Sequence, residues 1–276
     1  MPGVAGVAAA VRLVHAAPTL AVTALSGTLG GILLAQAGRP LDDRWLTTVV
    51  AVLGSQVFVG ATNDLVDRGR DTAAGRLSKP LAAGTLSPGG ALWIASAGLA
   101  VQVAASLRLG LPFVLLGLVA VASALAYNLW LSRRPLSVLP YLVSFGLLPL
   151  WIAVGVDVPL ERVALAPLLV APFAAAAHLA NALRDFDADA ALRSRNLAQT
   201  LGRETAFRLA WGLAMAVGLG VGTSLVLAGT GEPGSLVLGL VGLGAVAQGF
   251  RHADRLWLGM LVAAVCWTAS WALGTG

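Results

Sequence analysis

The chain has 276 residues, of which 58% are apolar and only 11% charged, and its mean hydropathy is +0.84. That composition excludes a soluble domain closing a single core, because the apolar excess must face lipid. A net charge of +5 does not point to nucleic acid either: the basic residues are scattered over short loops and only 6% of residues are aromatic. An anionic membrane surface and an anionic substrate account for them.

A bilayer core of roughly 30 Å needs about 20 apolar residues per helix. Nine runs meet that need, over 16–37, 46–62, 90–107, 111–131, 138–156, 163–183, 206–228, 235–250 and 256–273. The first ends at Ala35-Gln36-Ala37, with the small residues of a signal-peptide cleavage site. It is too long for a signal h-region, and many further spans follow. The eighth is short and glycine-rich, so Arg251 and Arg255 must snorkel or the helix must sit shallow. No hydrophilic stretch is long enough for a second folded unit. The predicted fold is therefore all-α and polytopic: nine transmembrane helices in one bundle with a central cavity, a single domain over 1–276. Cys266 is the sole cysteine, which excludes an intrachain disulfide, and a small buried apolar role suits it.

Lys and Arg of short loops are retained on the cytoplasmic side. With nine spans, one side receives Arg12, Arg68, Arg70, Arg76, Lys79, Arg133, Arg134, Arg184, Arg193, Arg195, Arg203, Arg208, Arg251 and Arg255. The other receives Arg39, Arg44, Arg108 and Arg162. A missed or invented helix would scramble this alternation. The chain is read as an integral membrane protein with its N-terminus and the loops after the second and sixth spans in the cytoplasm.

Those two loops hold six of the 13 acidic residues: Asp64, Asp67 and Asp71, then Asp185, Asp187 and Asp189. If the second helix continues past Thr62, Asn63, Asp67 and Asp71 recur every four residues, and Asp64 joins their side as the i−3 neighbour of Asp67. Asp185 and Asp189 share the same spacing and would point one way from a helix, with Asp187 aimed elsewhere. Like charges one turn apart destabilise a helix by a few tenths of a kcal/mol per pair, so such arrays usually have a compensating cation. Mg2+ suits them, as a hard ion that takes one or two carboxylates, water and phosphate oxygens. A solvated acidic loop cancelling nearby arginines is the plainer reading, and the repeated spacing in two clusters weighs against it. Arg70, Arg76, Lys79, Arg133, Arg134, Arg193 and Arg195 supply the positive charge a diphosphate needs, although membrane topology alone explains several of them.

These residues resemble a known family, the UbiA superfamily of intramembrane prenyltransferases. The stretch from Asn63 to Asp71, continuing to Ser78-Lys79-Pro80-Leu81 and Gly84, looks like its first motif, NDxxDxxxD followed by an RP-containing segment. Asp185 to Asp189, followed by Arg195-Asn196-Leu197-Ala198 and Leu201-Gly202, is similar to its second. Tyr127 with the basic pair Arg133-Arg134 extends the likeness, as do nine helices with motifs after the second and sixth. The resemblance implies that Asn63, Asp67 and Asp71 bind one Mg2+ and the diphosphate while Asp185 and Asp189 hold the other, with Asp64 a less defined member of the metal set. Lys79 stands where the family usually has Arg and Arg195 where it often has Lys, so phosphate binding is expected to survive with altered geometry.

The implied chemistry is ionisation of an allylic isoprenyl diphosphate, with metals and basic loops stabilising the departing diphosphate. The apolar bundle excludes water from the cation. A small or lipid acceptor ends the reaction in a transferase; in a UbiA-type terpene cyclase, the alternative on this scaffold, a double bond of the same chain does. His178 and Asn181 lie seven and four residues before Asp185 on one helix face, placed to orient an acceptor or take a proton, or simply to pack. Tyr127 is either a ring lining the cation path or an interfacial anchor. A transporter is disfavoured because the charged clusters lie at helix ends rather than at the membrane midplane.

The topology is checked with single cysteines in a Cys266→Ala background and an impermeant label. Positions 39, 108, 162 and 232 are expected to react from one side and positions in both Asp clusters from the other. Labelling of positions 70 and 108 from the same side would mean that the spans are miscounted.

Overall fold

The structure is a computed structural model describing residues 4–227, 229, 231–250 and 252–274. Ala228, the end of the seventh predicted run, and Arg251, beside the eighth, lie outside the described residues. A backbone in lipid must satisfy each N–H and C=O within its own segment, so apolar runs become helices. Among the described residues there is accordingly no strand.

The elements are α1 (Val4–Leu13), α2 (Ala16–Gln36), α3 (Asp43–Ala73), α4 (Pro88–Leu109), α5 (Leu111–Leu129), α6 (Leu139–Gly155) and α7 (Ala166–Arg184). After them come the short α8 (Phe186–Ala191) and α9 (Leu197–Leu201), then α10 (Arg203–Leu227), α11 (Pro233–Gln248) and α12 (Ala253–Gly274). Seven described helices are long and apolar enough to cross a membrane, against the nine expected. The fifth and eighth runs form α6 and α11, with 17 and 16 residues. At 1.5 Å per residue these rise about 26 and 24 Å, less than the roughly 30 Å of a bilayer core. α1 was not anticipated, because a ten-residue apolar segment falls below spanning length.

By its internal contacts the chain divides into two compact units. The first comprises Met1–Gly31, Pro40–Leu129 and Trp151–Pro159; the second comprises Ile32–Arg39, Trp130–Leu150 and Leu160–Gly276.

In the first unit α3 and α4 approach backbone to backbone. A Cβ at Gly54 would lie 2.7 Å from the Gly98 carbonyl oxygen and 2.8 Å from the Gln102 nitrogen, so only hydrogen fits. Small residues at such crossings gain van der Waals contact that lipid cannot outcompete. The helices begin where side chains cap them: Asp42 accepts from the Trp45 N–H at 2.9 Å, and Ser87, just before Pro88, accepts from Gly90 at 3.1 Å. Leu13 of α1 is fully buried with Phe58, Ala61 and Leu81.

The second unit uses alanine the same way. Ala176 and Ala180 of α7 are fully buried in one cluster with Ala206, Ala210 and Ala214 of α10. Trp267 of α12 is buried among Gly218, Gly239 and Gly242, donating its indole N–H to the Gly239 carbonyl at 3.1 Å.

Replacing Gly54 by Leu pushes atoms into a backbone carbonyl that no rotamer change relieves. It is expected to lower the unfolding midpoint in detergent, with an overpacking cost of about 1–3 kcal/mol. Gly212→Ala, where a Cβ meets nothing within 4 Å, should be neutral or stabilising by roughly 0.5–1 kcal/mol. Equal midpoints for the two variants would refute the close approach of α3 and α4.

Candidate functional site

α3 contains 31 residues, and its last eleven carry the first acidic motif. Because it runs unbroken to Ala73, Asn63, Asp67 and Asp71 recur at successive turns along one side, as the spacing predicted. Each is held differently. The Asn63 amide donates to Asn128 Oδ1 at 3.2 Å. Asn128, buried in α5, in turn donates to the Val59 carbonyl and to Thr62 Oγ1, each at 3.1 Å. Asp71 is buried and faces Arg76 at 3.3 Å. Asp67, with 24% of its side chain exposed, lies 3.8 Å from Arg70.

Asp64 belongs to a different arrangement. Its side chain is 1% exposed, and Oδ1 accepts from the Lys79 ammonium and lies 2.9 Å from His15 Nε2, while Oδ2 is buried without a hydrogen-bond partner. Sequence reasoning joined Lys79 to phosphate and Asp64 to metal, and missed His15 entirely. No local pattern marks a residue 49 positions away from its partner.

In the second unit the helix carrying His178 and Asn181 ends at Arg184, and Asp185 joins α7 to α8 with φ −94° and ψ 10°. The expectation that Asp185 and Asp189 project from one helix is corrected: the chain bends at Asp185, although the Asp189 N–H still reaches the Asp185 carbonyl at 2.8 Å. Asp185 is exposed. Asp187 is 90% exposed and accepts from Arg203 at 2.6 Å, with the guanidinium also 4.6 Å from the Phe186 ring centre. Asp189 accepts from the Asn196 amide at 2.8 Å, and Asn196 caps α9 by accepting from Gln199. Asn196 is thus a positioning group that the sequence offered only as part of a likeness.

Arg195 and Arg133 meet through the backbone, the Arg195 N–H donating to the Arg133 carbonyl at 3.1 Å. Tyr127 adjoins Asn128 near the end of α5 and is half-buried. His178 is buried. Its Nε2 is 2.9 Å from Ser137 Oγ, which accepts from the Leu197 N–H, and its ring lies 4.5 Å from that of Tyr141. Since Oγ is already an acceptor, its proton is free to point at Nε2. Through Ser137, in the loop before α6, His178 links α7 to the first residue of α9. A cavity of about 370 Å³ in this unit lies elsewhere, among Leu183, Arg203, Phe207, Arg208 and Phe250, and none of the predicted site residues lines it.

The UbiA prenyltransferase family pattern matches residues 20–259. No curated protein matches the sequence. Among solved structures, a UbiA homologue from Aeropyrum pernix K1 is similar at a TM-score of 0.72 with 19% identity, covering 90% of this chain and 96% of its own. One from Archaeoglobus fulgidus bound to GPP and Mg2+ gives 0.70 with 15% identity over 97% and 100%. A digeranylgeranylglyceryl phosphate synthase gives 0.72 with 14% identity over 97% and 99%. At these identities the likeness is one of fold.

His178→Phe is expected to lower the unfolding midpoint by the about 1–3 kcal/mol that an unsatisfied buried polar group costs, leaving the distribution of products unchanged. A shifted distribution at an unchanged midpoint would place His178 at the reacting centre instead.

Proposed function

The chain belongs to the UbiA prenyltransferase family, and from that membership we propose that it is an Mg2+-dependent intramembrane enzyme acting on an allylic isoprenyl diphosphate. Within that class we propose transfer of the prenyl group to a small or lipid acceptor. The observation that carries this is the unbroken course of α3 through Asp71, which aligns Asn63, Asp67 and Asp71. The GPP and Mg2+ bound by the Archaeoglobus fulgidus homologue support the substrate class and the ion.

The donor set fits Mg2+. Every donor is a hard oxygen, and among the described residues no three His, Cys, Asp or Glu side chains converge into a ready-made metal cage. Mg2+ asks for no such cage, since it keeps waters and takes only one or two carboxylates with substrate phosphate oxygens. Asn63, Asp67 and Asp71 would hold one ion, and Asp185 and Asp189 the other. Asp67 and Asp185 are reachable from outside. When bound, Mg2+ offsets the negative charge that develops on the leaving diphosphate.

The chain's own groups do the remainder. Asn128 fixes the Asn63 amide so that its oxygen has one direction, and Asn196 fixes Asp189. Lys79, Arg133 and Arg195 supply donors for phosphate oxygens. The apolar helices take the isoprenoid tail and exclude water from the cation. In this reading 1–276 acts as one domain, α6 and α11 complete nine spans around a central cavity, and the Asp-rich loops face the cytoplasm.

The test is a panel of allylic diphosphates assayed with and without candidate acceptors. Product formed only with acceptor is expected; cyclic hydrocarbon or terpene alcohol formed without one would make the protein a cyclase on the same machinery. Asp67→Ala and Asp185→Ala are each expected to reduce turnover by about 100-fold or more, with the unfolding midpoint retained, and EDTA to do the same. Full activity in metal-free buffer would sink the mechanism.

A further inference from the structure

The turn between α1 and α2 places His15 at φ 51°, in the left-handed region. A side chain with a Cβ is strained there, and such a conformation persists only where its surroundings over-determine it. Two contacts do so. The Val14 carbonyl accepts from the Thr19 hydroxyl at 2.6 Å. It also presses on α3 at Gly60, where a Cβ would stand 2.8 Å from that oxygen. Gly60 lies one helical turn before Asp64, so the braced turn delivers the imidazole onto the buried carboxylate.

There Nε2 is 2.9 Å from Asp64 Oδ1 and 3.3 Å from Lys79 Nζ. An Nε2 lone pair would be repelled by the carboxylate oxygen, so the geometry assigns Nε2 as a donor alongside the ammonium. One donor leaves a carboxylate able to rotate about its broad terminal torsion. Two donors converging on Oδ1 restrict it. Lys79 keeps two further N–H donors, and its side chain is 24% exposed, so the ammonium can serve Asp64 and an outside anion together.

We propose that His15 is a positioning residue: by fixing Asp64 it holds the Lys79 ammonium in place for the diphosphate of the substrate. The identity of that ligand rests on the functional reading above, and the position of Lys79 does not.

Two measurements on the purified full chain separate them. One is the rise in unfolding midpoint caused by inorganic diphosphate in metal-free buffer; the other is KM and kcat for an allylic diphosphate with Mg2+. His15→Gly removes the ring while relieving the positive-φ strain, so the fold is kept. His15→Gln restores an N–H at the reach of Nε2. The glycine variant should lose at least half of the diphosphate-induced rise and increase KM about tenfold, the size expected for a hydrogen bond to a charged group, with kcat changing less than threefold. Glutamine should recover most of both. A glycine variant with the full diphosphate response and unchanged KM, whatever its midpoint, would make His15 a packing residue and overturn the assignment. So would a wild-type protein indifferent to inorganic diphosphate. A wild type that shows the His15-dependent response but turns over no allylic diphosphate would overturn the functional reading and uphold this one.

Discussion

A helix of 31 residues rises about 46 Å, and a bilayer core takes up only about 30 Å of it. α3 therefore has more helix than the membrane can hide, and the excess carries the charge. Its apolar stretch ends at Thr62; Asn63 begins the acidic stretch. Had the helix ended with its apolar residues, as most spans do, these side chains would hang from a loop with no fixed relation to each other. Continuation gives them a common direction and a spacing of one turn, which a hard cation and a phosphate can both use. The cost is repulsion between stacked carboxylates. Arg70, Arg76 and Lys79 from the same helix or the loop after it stand beside Asp67, Asp71 and Asp64.

Close helix approach packs the helices that carry this polar end. Lipid gives no hydrophobic reward for pairing helices, so backbones must come near enough for dispersion to act. Gly54 and Gly98 do this for α3 and α4, and Gly60 admits the Val14 carbonyl against α3. The composition that looks like low complexity, rich in Gly and Ala, is thus the packing code of the fold. One glycine at position 60 serves the site directly, since any side chain there would lift the turn that carries His15.

Apolar runs located the long helices to within a few residues, because in lipid a run of that length has no other stable conformation, except that α3 continues eleven residues beyond its apolar run, from Thr62 to Ala73. The first motif was legible because its four-residue period coincides with the helix that bears it. What escaped was tertiary. Asn128 sits inside an apolar run, beside a tyrosine that drew the reading away from it. His15 precedes the first span, in a turn whose left-handed conformation has no glycine to announce it. The bend at Asp185 likewise has neither Gly nor Pro as a marker, so even spacing suggested a continuous helix where the chain breaks. α6 and α11 were read as spans by hydropathy, and only their observed length sets them apart.

Burial sorts the carboxylates that sequence treated alike. Along α3 side-chain exposure is 1% at Asp64, 6% at Asp71 and 24% at Asp67. A charge as enclosed as Asp64 must have its partner within the protein, and it has two, so its partners are structural before they are anything else. Asp67, half-buried, is the most accessible of the three and lies 3.8 Å from Arg70, too far for a close ion pair. Asp71 lies between, enclosed by the chain yet paired with the more exposed Arg76 from the following loop. The motif is therefore graded, from a counter-ion that fixes the loop to a carboxylate that the loop leaves partly open. In the second unit Asp187 is spent on Arg203 at the surface, Asp189 is aimed by Asn196, and Asp185 stays exposed. Each cluster thus offers a more accessible carboxylate beside one that is held, a division compatible with the proposed ion, which takes only one or two carboxylates along with water and phosphate oxygens.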